Sequence, residues 1–361
     1  MALRLQDPIA TFWMSQTLCI SEFFQVPGVI LDVRSPGEYE QGHIPGAVSF
    51  PLFSNAERAQ VGICYKEQGR ELAIELGLEL VGPKLAGFVQ QAKALASDRQ
   101  VRVHCWRGGM RSSSMGWLLE TAGLQVTLLE GGYKAFRRWV LAVLAEPRTI
   151  FTLGGMTGTG KTALLYALAD RGEQILDLEK LAHHRGSSYG RLGLPPQPTN
   201  EQFENKVALA WAALQPDRPV WIEAESRRIG LCRVPDPLFQ QMFSAPVLQI
   251  ERPRSERVAL LLADYGQVDR DGLIAATERL RKRLGGLATQ EAVDAIRRGD
   301  LAPAIERVLD YYDSTYRYDL QKRGVPIYPI EVTGLDPVQA ADRVLGVLKV
   351  LHAMPLWCAR P

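Results

Sequence analysis

The sequence predicts a mixed α/β protein with two parallel-sheet domains in tandem, and three observations predict it. Along the 361 residues, short apolar runs that read as strands alternate with longer stretches that read as helices. At 101–119 a strand runs into a Gly-bearing loop headed by Cys105 and then into a helix. At 149–172 the same strand–loop–helix order recurs around a G-x4-G-K-T run. A chain of this length accommodates two domains with full cores.

Bulk composition narrows the function classes. A hydrophobic fraction of 46% and a charged fraction of 23% are those of a soluble globular protein. The net charge of +2 gives no global basic field, so nucleic-acid contact would come from local patches. Cys19, Cys64, Cys105, Cys232 and Cys358 are scattered, odd in number and free of CxxC pairs. That pattern argues against a disulfide framework or a zinc site and suits a reducing compartment. The N-terminal MALRLQDPIATFW lacks the apolar core of a signal peptide. No apolar run approaches the roughly 18 residues of a membrane span. A cytoplasmic protein with no membrane partner is expected.

In the first half, 29–34 read as a short buried strand ending in charge, and 35–40 as a turn and short helix. Residues 42–48 form a loop into the next strand, 56–80 one helical stretch, and 84–96 another helix. After the Cys105 segment, 126–130 make a strand closed by Gly131 and Gly132. Residues 133–144 read as a long helix with Phe136, Trp139, Val140 and Val143 inward. Domains are expected over 1–140 and 141–361, with a linker helix about 133–148.

A loop entering a helix N-terminus turns backbone N–H groups inward and adds the positive end of the helix dipole. That setting lowers a thiol pKa and forms a concave anion site. Cys105 is therefore expected to be a thiolate nucleophile, cradled by Arg107, Gly108, Gly109 and Arg111.

The second half opens with the phosphate loop. Gly155, Gly158 and Gly160 let successive N–H groups face phosphate oxygens, Lys161 adds a point charge, and Thr162 offers a hydroxyl to Mg²⁺. The motif indicates a diphosphate without indicating a nucleotide. Residues 174–179 read as a second strand ending in carboxylates, and 220–225 as a third resembling a Walker-B strand with Glu. Asp177 or Glu223 then either holds Mg²⁺ through water or caps a buried strand, with Glu225 a weaker candidate. His183 and His184 are adjacent and cannot both face one metal from a regular element, so no zinc site is read there. Arg185, in a donor-rich loop, and Arg227 and Arg228, after the Glu223 strand, are candidate RNA-backbone contacts. Strands at 247–250 and 327–330 and a closing helix at 337–353 complete the sheet. Between them, helices at 273–284 (with Arg279, Arg281, Lys282, Arg283) and 306–322 (with Tyr311, Tyr312, Tyr316, Tyr318) are compatible with RNA docking.

The segments LDVRSPGEYEQGHIPGAVSFPL, the Cys105 loop and LLEGGYKAF together resemble a rhodanese domain over about 10–140. The resemblance implies that Asp32 and Arg34 are structural, that GHIPGA is a packing signature, and that His43 is structural. One departure matters. Plain sulfurtransferases of that family resemble Cys-x4-Arg, whereas Cys105 and Arg111 are separated by five residues, as in the related phosphatases. The wider cradle suits a tetrahedral, phosphate-like anion rather than thiosulfate, and Trp106 is placed to wall it.

Joined in this order to a P-loop NTPase-like domain, the whole resembles bacterial tRNA 2-selenouridine synthases. The resemblance rests on CWRGGMRS, LEGGYKAF, GGMTGTGKT, LDLEKLAHHRGSSYG and WIEAESRRIG. It implies replacement of sulfur by selenium in wobble-position 2-thiouridine, with selenophosphate as donor and an S-geranylated intermediate made from geranyl diphosphate. No tightly bound cofactor is expected, Mg²⁺ being a candidate at the phosphate loop; the resemblance implies the tRNA anticodon region as partner and selenophosphate synthase as a candidate donor source. The competing readings are a rhodanese-type sulfurtransferase or Cys-x5-Arg phosphatase with an appended domain, and a P-loop kinase or NTPase.

Overall fold

The structure is a computed structural model that describes residues 15–352. The N-terminal stretch, Ala353 and Cys358 lie outside the described residues. The chain divides into two units, 1–142 and 143–361, and the division falls within the helix Gly132–Ala145.

In the first unit β1 (Gln16–Leu18), β2 (Val29–Asp32), β3 (Val48–Ser49), β4 (Gln100–His104) and β5 (Gln125–Leu129) form one sheet. The order is β1-β5-β4-β2-β3 and every pairing is parallel. Leu31, Val101 and Val103 pack with Phe50, Phe88, Met115 and Leu119 into the core. The chain leaves β2 for β3 on one side and β4 for β5 on the other. The carboxyl ends of β2 and β4 thus bound a switch-point crevice, where α/β sheets place ligands. Cys105 is the first residue past β4.

The stretch read as one helix at 56–80 is two, Asn55–Glu67 and Arg70–Val81. Gly69, at φ +97°, turns the chain between them. The apolar pattern continues across that turn, which is why periodicity alone runs the two together.

The second unit holds β6 (Ile150–Gly155), β7 (Gln174–Leu176), β8 (Val220–Glu223), an antiparallel ribbon of β9 (Arg228–Ile229) and β10 (Cys232–Arg233), β11 (Val247–Glu251) and β12 (Ile327–Glu331). Its main sheet runs β12-β11-β6-β8-β7, all parallel, with β6 at the centre. Phe151, Leu153, Leu165, Leu168, Trp221 and Ile250 build its core. Between β11 and β12 lie five helices, from Arg254–Tyr265 to Leu301–Gln321. The 273–284 stretch belongs to two of them, Arg270–Arg279 and Arg281–Leu284. The run 174–179 is strand only to Leu176, because the Asp177 side chain caps the helix Leu178–Ala182. Glu179 therefore sits on a helix, not on a strand.

Candidate functional site

Cys105 leaves β4 into a loop that ends at the helix Met110–Thr121, and only 3% of its surface is exposed. Its Sγ lies 3.2 Å from Ser112 Oγ and 3.8 Å from Gly109 O. Burial pushes the thiol up, but the Ser112 hydroxyl and backbone hydrogen bonds at Arg107, Ser112 and Gly109 outweigh it. The net effect holds the thiol below its ordinary value of 9.0.

The LEGGYKAF segment supports this loop from behind. Tyr133 N donates to Cys105 O (2.8 Å) and Lys134 N to Trp106 O (2.9 Å). Gly132 has φ +58°, and a Cβ there would lie 2.4 Å from Cys105 O and 2.5 Å from Gly108 N. No side chain fits between the two segments.

Behind the loop, Arg34 donates to both carboxylate oxygens of Asp32 (3.0 and 2.6 Å) and to Gly42 O (2.7 Å). Its guanidinium stacks 3.7 Å over the Tyr133 ring. Burial raises the Asp32 carboxyl, and His104 and Arg34 together more than reverse that, so it is held ionised. Burial pushes His104 down, toward the neutral imidazole. His43 stacks flat on Tyr39, with centroids 3.9 Å apart, and its Nδ1 lies 3.0 Å from Tyr39 O. Trp106 is half-exposed and sets its ring 5.7 Å from Tyr133.

Within the expected anion cradle, Arg107 is exposed, while Arg111 pairs with Glu38 at 2.8 Å. Burial raises the Glu38 carboxyl, but Arg111, Ser35 N–H and Arg58 outweigh it and hold it low. Half of the arginine charge assigned to the cradle is thus already faced by a carboxylate.

In the second unit β6 delivers the phosphate loop to the helix Lys161–Ala169. Gly158 has φ +81°, and a Cβ there would meet Arg257 O at 2.9 Å. Lys161 Nζ donates to Gly155 O (2.8 Å). Gly155 N–H donates to Tyr316 Oη (2.7 Å), which in turn donates to Gln249 Oε1 (2.6 Å).

Thr162 Oγ1 donates to Glu223 Oε1 at 2.7 Å. Oxygens of Glu223, Glu225 and Glu179 all lie within 4.8 Å of one another. Burial first, then repulsion from the neighbouring carboxylates, pushes Glu179 up to about 10 and Glu225 up to about 7. Glu223 is raised by burial as well, with Lys161 and the Thr162 hydroxyl opposing. A group of oxygen donors, one buried and two half-buried, whose negative charge is opposed in this way fits a hard divalent cation such as Mg²⁺. Asp177 does other work: its carboxylate accepts Lys180 N–H (2.8 Å) and Tyr166 O–H (2.7 Å). Around these groups opens a cleft of about 620 Å³ that reaches Arg185, Arg283, Tyr311 and Arg323.

The family described as the tRNA 2-selenouridine synthase AAA domain matches residues 148–332, and the rhodanese-like domain family matches 20–138. A tRNA 2-selenouridine synthase of Marinobacter nauticus is 38% identical over 82% of this chain and 89% of its own length. This chain belongs to the tRNA 2-selenouridine synthase family. Enzymes of the same name from Bordetella bronchiseptica (37% identical, 82% of this chain, 90% of theirs) and a Shewanella species, strain MR-7 (35%, 81%, 88%), match comparably.

In this member of the family the sequence-predicted residues sort by place. Cys105, Arg107, Gly108, Gly109 and Arg111 share one loop and helix start, and Gly155, Gly158, Gly160, Lys161 and Thr162 share another with Glu223. Arg185 lines the cleft. Arg228 lies in the β9–β10 ribbon, and Arg227 beside it pairs with Asp236. Sequence reasoning missed four contributors. Ser112 carries a local signal, since it directly follows the cradle's closing Arg111. Glu179 reads in the sequence as the end of a strand, which hides its place on the helix Leu178–Ala182. Gln249 and Arg323 carry no local signal, because only the fold brings them to the loop and the cleft.

Proposed function

We propose that this chain replaces the sulfur of wobble-position 2-thiouridine in tRNA with selenium, using selenophosphate as donor and an S-geranylated intermediate. The observation that carries the reading is Cys105: a buried thiol held below its ordinary range by Ser112 and a helix start. It acts on the selenium donor, with Arg107 and the loop N–H groups receiving the donor's phosphoryl group.

In the second unit the phosphate loop binds the diphosphate of geranyl diphosphate. The thiocarbonyl sulfur attacks the allylic carbon, the carbon–oxygen bond breaks, and the diphosphate leaves with the electron pair. Lys161 and the loop N–H groups neutralise the charge that develops on it. When bound, Mg²⁺ supplies further charge neutralisation, held by Glu223 and Glu225 with Thr162 alongside. Alkylation turns the sulfur into a leaving group: the selenium of selenophosphate bonds to carbon 2, geranylthiol departs with a proton, and water then cleaves the Se–P bond to release phosphate. Neither step changes an oxidation state overall. The partners are then the anticodon region of tRNA and, as source of donor, selenophosphate synthase.

The phosphatase reading shares the loop length, but the carboxyl paired with Arg111 is held ionised and is no proton donor at neutral pH. The test is incubation of the full-length protein with 2-thiouridine tRNA, selenophosphate and geranyl diphosphate, followed by nucleoside mass spectrometry. Appearance of 2-selenouridine is expected. Turnover of aryl phosphate or thiosulfate with no change in any tRNA nucleoside would overturn it.

A further inference from the structure

The two arginines of the Cys105 loop stand in different settings. Arg107 is exposed, whereas Arg111 is half-buried and meets the Glu38 carboxylate with two nitrogens. Nη1 of Arg111 donates to Glu38 Oε2 at 2.8 Å, and Nη2 donates to Oε1 at 3.4 Å. Glu38 is itself held. It is the third residue of the helix Pro36–Gln41, its Oε2 accepts the Ser35 N–H at 3.0 Å, and Arg58 Nε lies 3.8 Å away. Asn55 Oδ1, at the start of the helix Asn55–Glu67, accepts the Gly37 N–H (2.8 Å) and pins the same turn from a second side. The carboxylate is therefore in place before any ligand arrives.

A fixed carboxylate on a guanidinium competes with every anion that enters the loop. A phosphoryl group that engages Arg111 must share or displace a charge-assisted pair already made. The consequence bears on the end of the reaction more than on its start. Donor and product carry the same tetrahedral anion, so a firmer arginine grip would tighten both alike, and such uniform binding does not raise turnover. The donor also brings selenium to Cys105, whereas inorganic phosphate has only the arginines and the loop N–H groups. With Arg111 opposed, the phosphate left in the loop is released.

We infer that Glu38 is a positioning residue that, through Arg111, sets how firmly the Cys105 loop holds phosphate and keeps that hold weak. The inference rests on the reading that this loop receives the donor's phosphoryl group. Glu38 touches neither the thiol nor the reacting atoms.

The experiment uses the full-length protein and inorganic phosphate as the probe. Alkylation of Cys105 by iodoacetamide is followed by peptide mass spectrometry across a phosphate titration, each protein referred to its own phosphate-free rate. Glu38→Gln keeps the helix cap, since glutamine serves at that position as glutamate does, and removes only the charge. It should lower the phosphate concentration that half-protects Cys105 by about tenfold, the worth of one charge-assisted hydrogen bond. Selenium transfer by this variant should be inhibited at correspondingly lower phosphate. Glu38→Asp draws the carboxylate back by one methylene and should fall between wild type and Glu38→Gln, which keeps the test open if Glu38→Gln does not fold. Phosphate protection unchanged or weakened in both variants overturns the role given to Glu38, since a mere brace of Arg111 would loosen the anion when removed. Absence of protection in all three proteins at every phosphate concentration instead overturns the reading that the loop receives a phosphoryl group.

Discussion

At the Cys105 loop, hydrogen bonds favour a negative charge on sulfur, whereas beside Lys161 burial and mutual repulsion oppose negative charge on three carboxylates. The two places are otherwise built alike. Each follows the central strand of a five-stranded parallel sheet, and each turns through glycines into a helix N-terminus. The first loop adds a nucleophile and keeps its nearest carboxylate, Glu38, occupied with Arg111. The second adds a lysine and a set of acids that a cation would complete. The two loops thus share one backbone plan, a glycine turn into a helix N-terminus, with a thiol in one unit and a lysine beside acids in the other.

Substitutions can break this contrast from either side. Cys105→Ala removes the only nucleophile of the first loop and should lower selenium incorporation on the order of a thousandfold, leaving geranyl transfer intact. Nucleoside mass spectrometry reads both. Lys161→Ala removes the point charge from the leaving diphosphate and should slow geranyl transfer roughly a hundredfold. Single-turnover assays with labelled geranyl diphosphate measure that rate.

Subtler changes sharpen the comparison. Ser112→Ala deletes a hydrogen bond to the thiolate, so the Cys105 pKa must rise. Thiolate then forms only at a higher pH, and the acid limb of selenium transfer shifts upward, with about a fewfold loss near neutrality. Thiolate absorbance of this variant, corrected by Cys105→Ala, gives the shift directly. On the other loop, Mg²⁺ at a hundred times its Kd should stabilise the wild type by about 2.7 kcal/mol, or roughly 5–10 °C in thermal midpoint. Glu223→Gln should abolish most of that increment. An equal Mg²⁺ response in both proteins would remove the carboxylates from the cation site. Smallest in direct chemistry is Gly132→Ala, which should cost about 1–3 kcal/mol through its positive φ and the contact with Cys105 O. Thermal unfolding of the variant checks it.

Much of this was legible in the sequence because both loops are local. Cys105 to Arg111 and Gly155 to Thr162 are contiguous runs whose backbone geometry follows from glycine placement next to a strand and a helix. Parallel order followed from strand–helix alternation. What stayed hidden depends on contacts across the chain. Tyr316 reaches Gly155 from 161 residues away. The acidic group is assembled from β8, the residues after it and the helix Leu178–Ala182. Asp177 looked equal to Glu223 as a metal ligand, since a strand-end carboxylate reads the same whether it caps a helix or faces a cation.

The central claim is that the two loops carry two successive steps on the same nucleoside. The most direct test incubates 2-thiouridine tRNA, selenophosphate and geranyl diphosphate with wild type, Cys105→Ala or Lys161→Ala, and follows the nucleosides by mass spectrometry. Wild type is expected to give 2-selenouridine, Cys105→Ala to accumulate S-geranyl-2-thiouridine without selenium, and Lys161→Ala to consume 2-thiouridine slowly. Normal 2-selenouridine formation by Cys105→Ala would contradict it, leaving the first unit a scaffold and placing selenium transfer elsewhere.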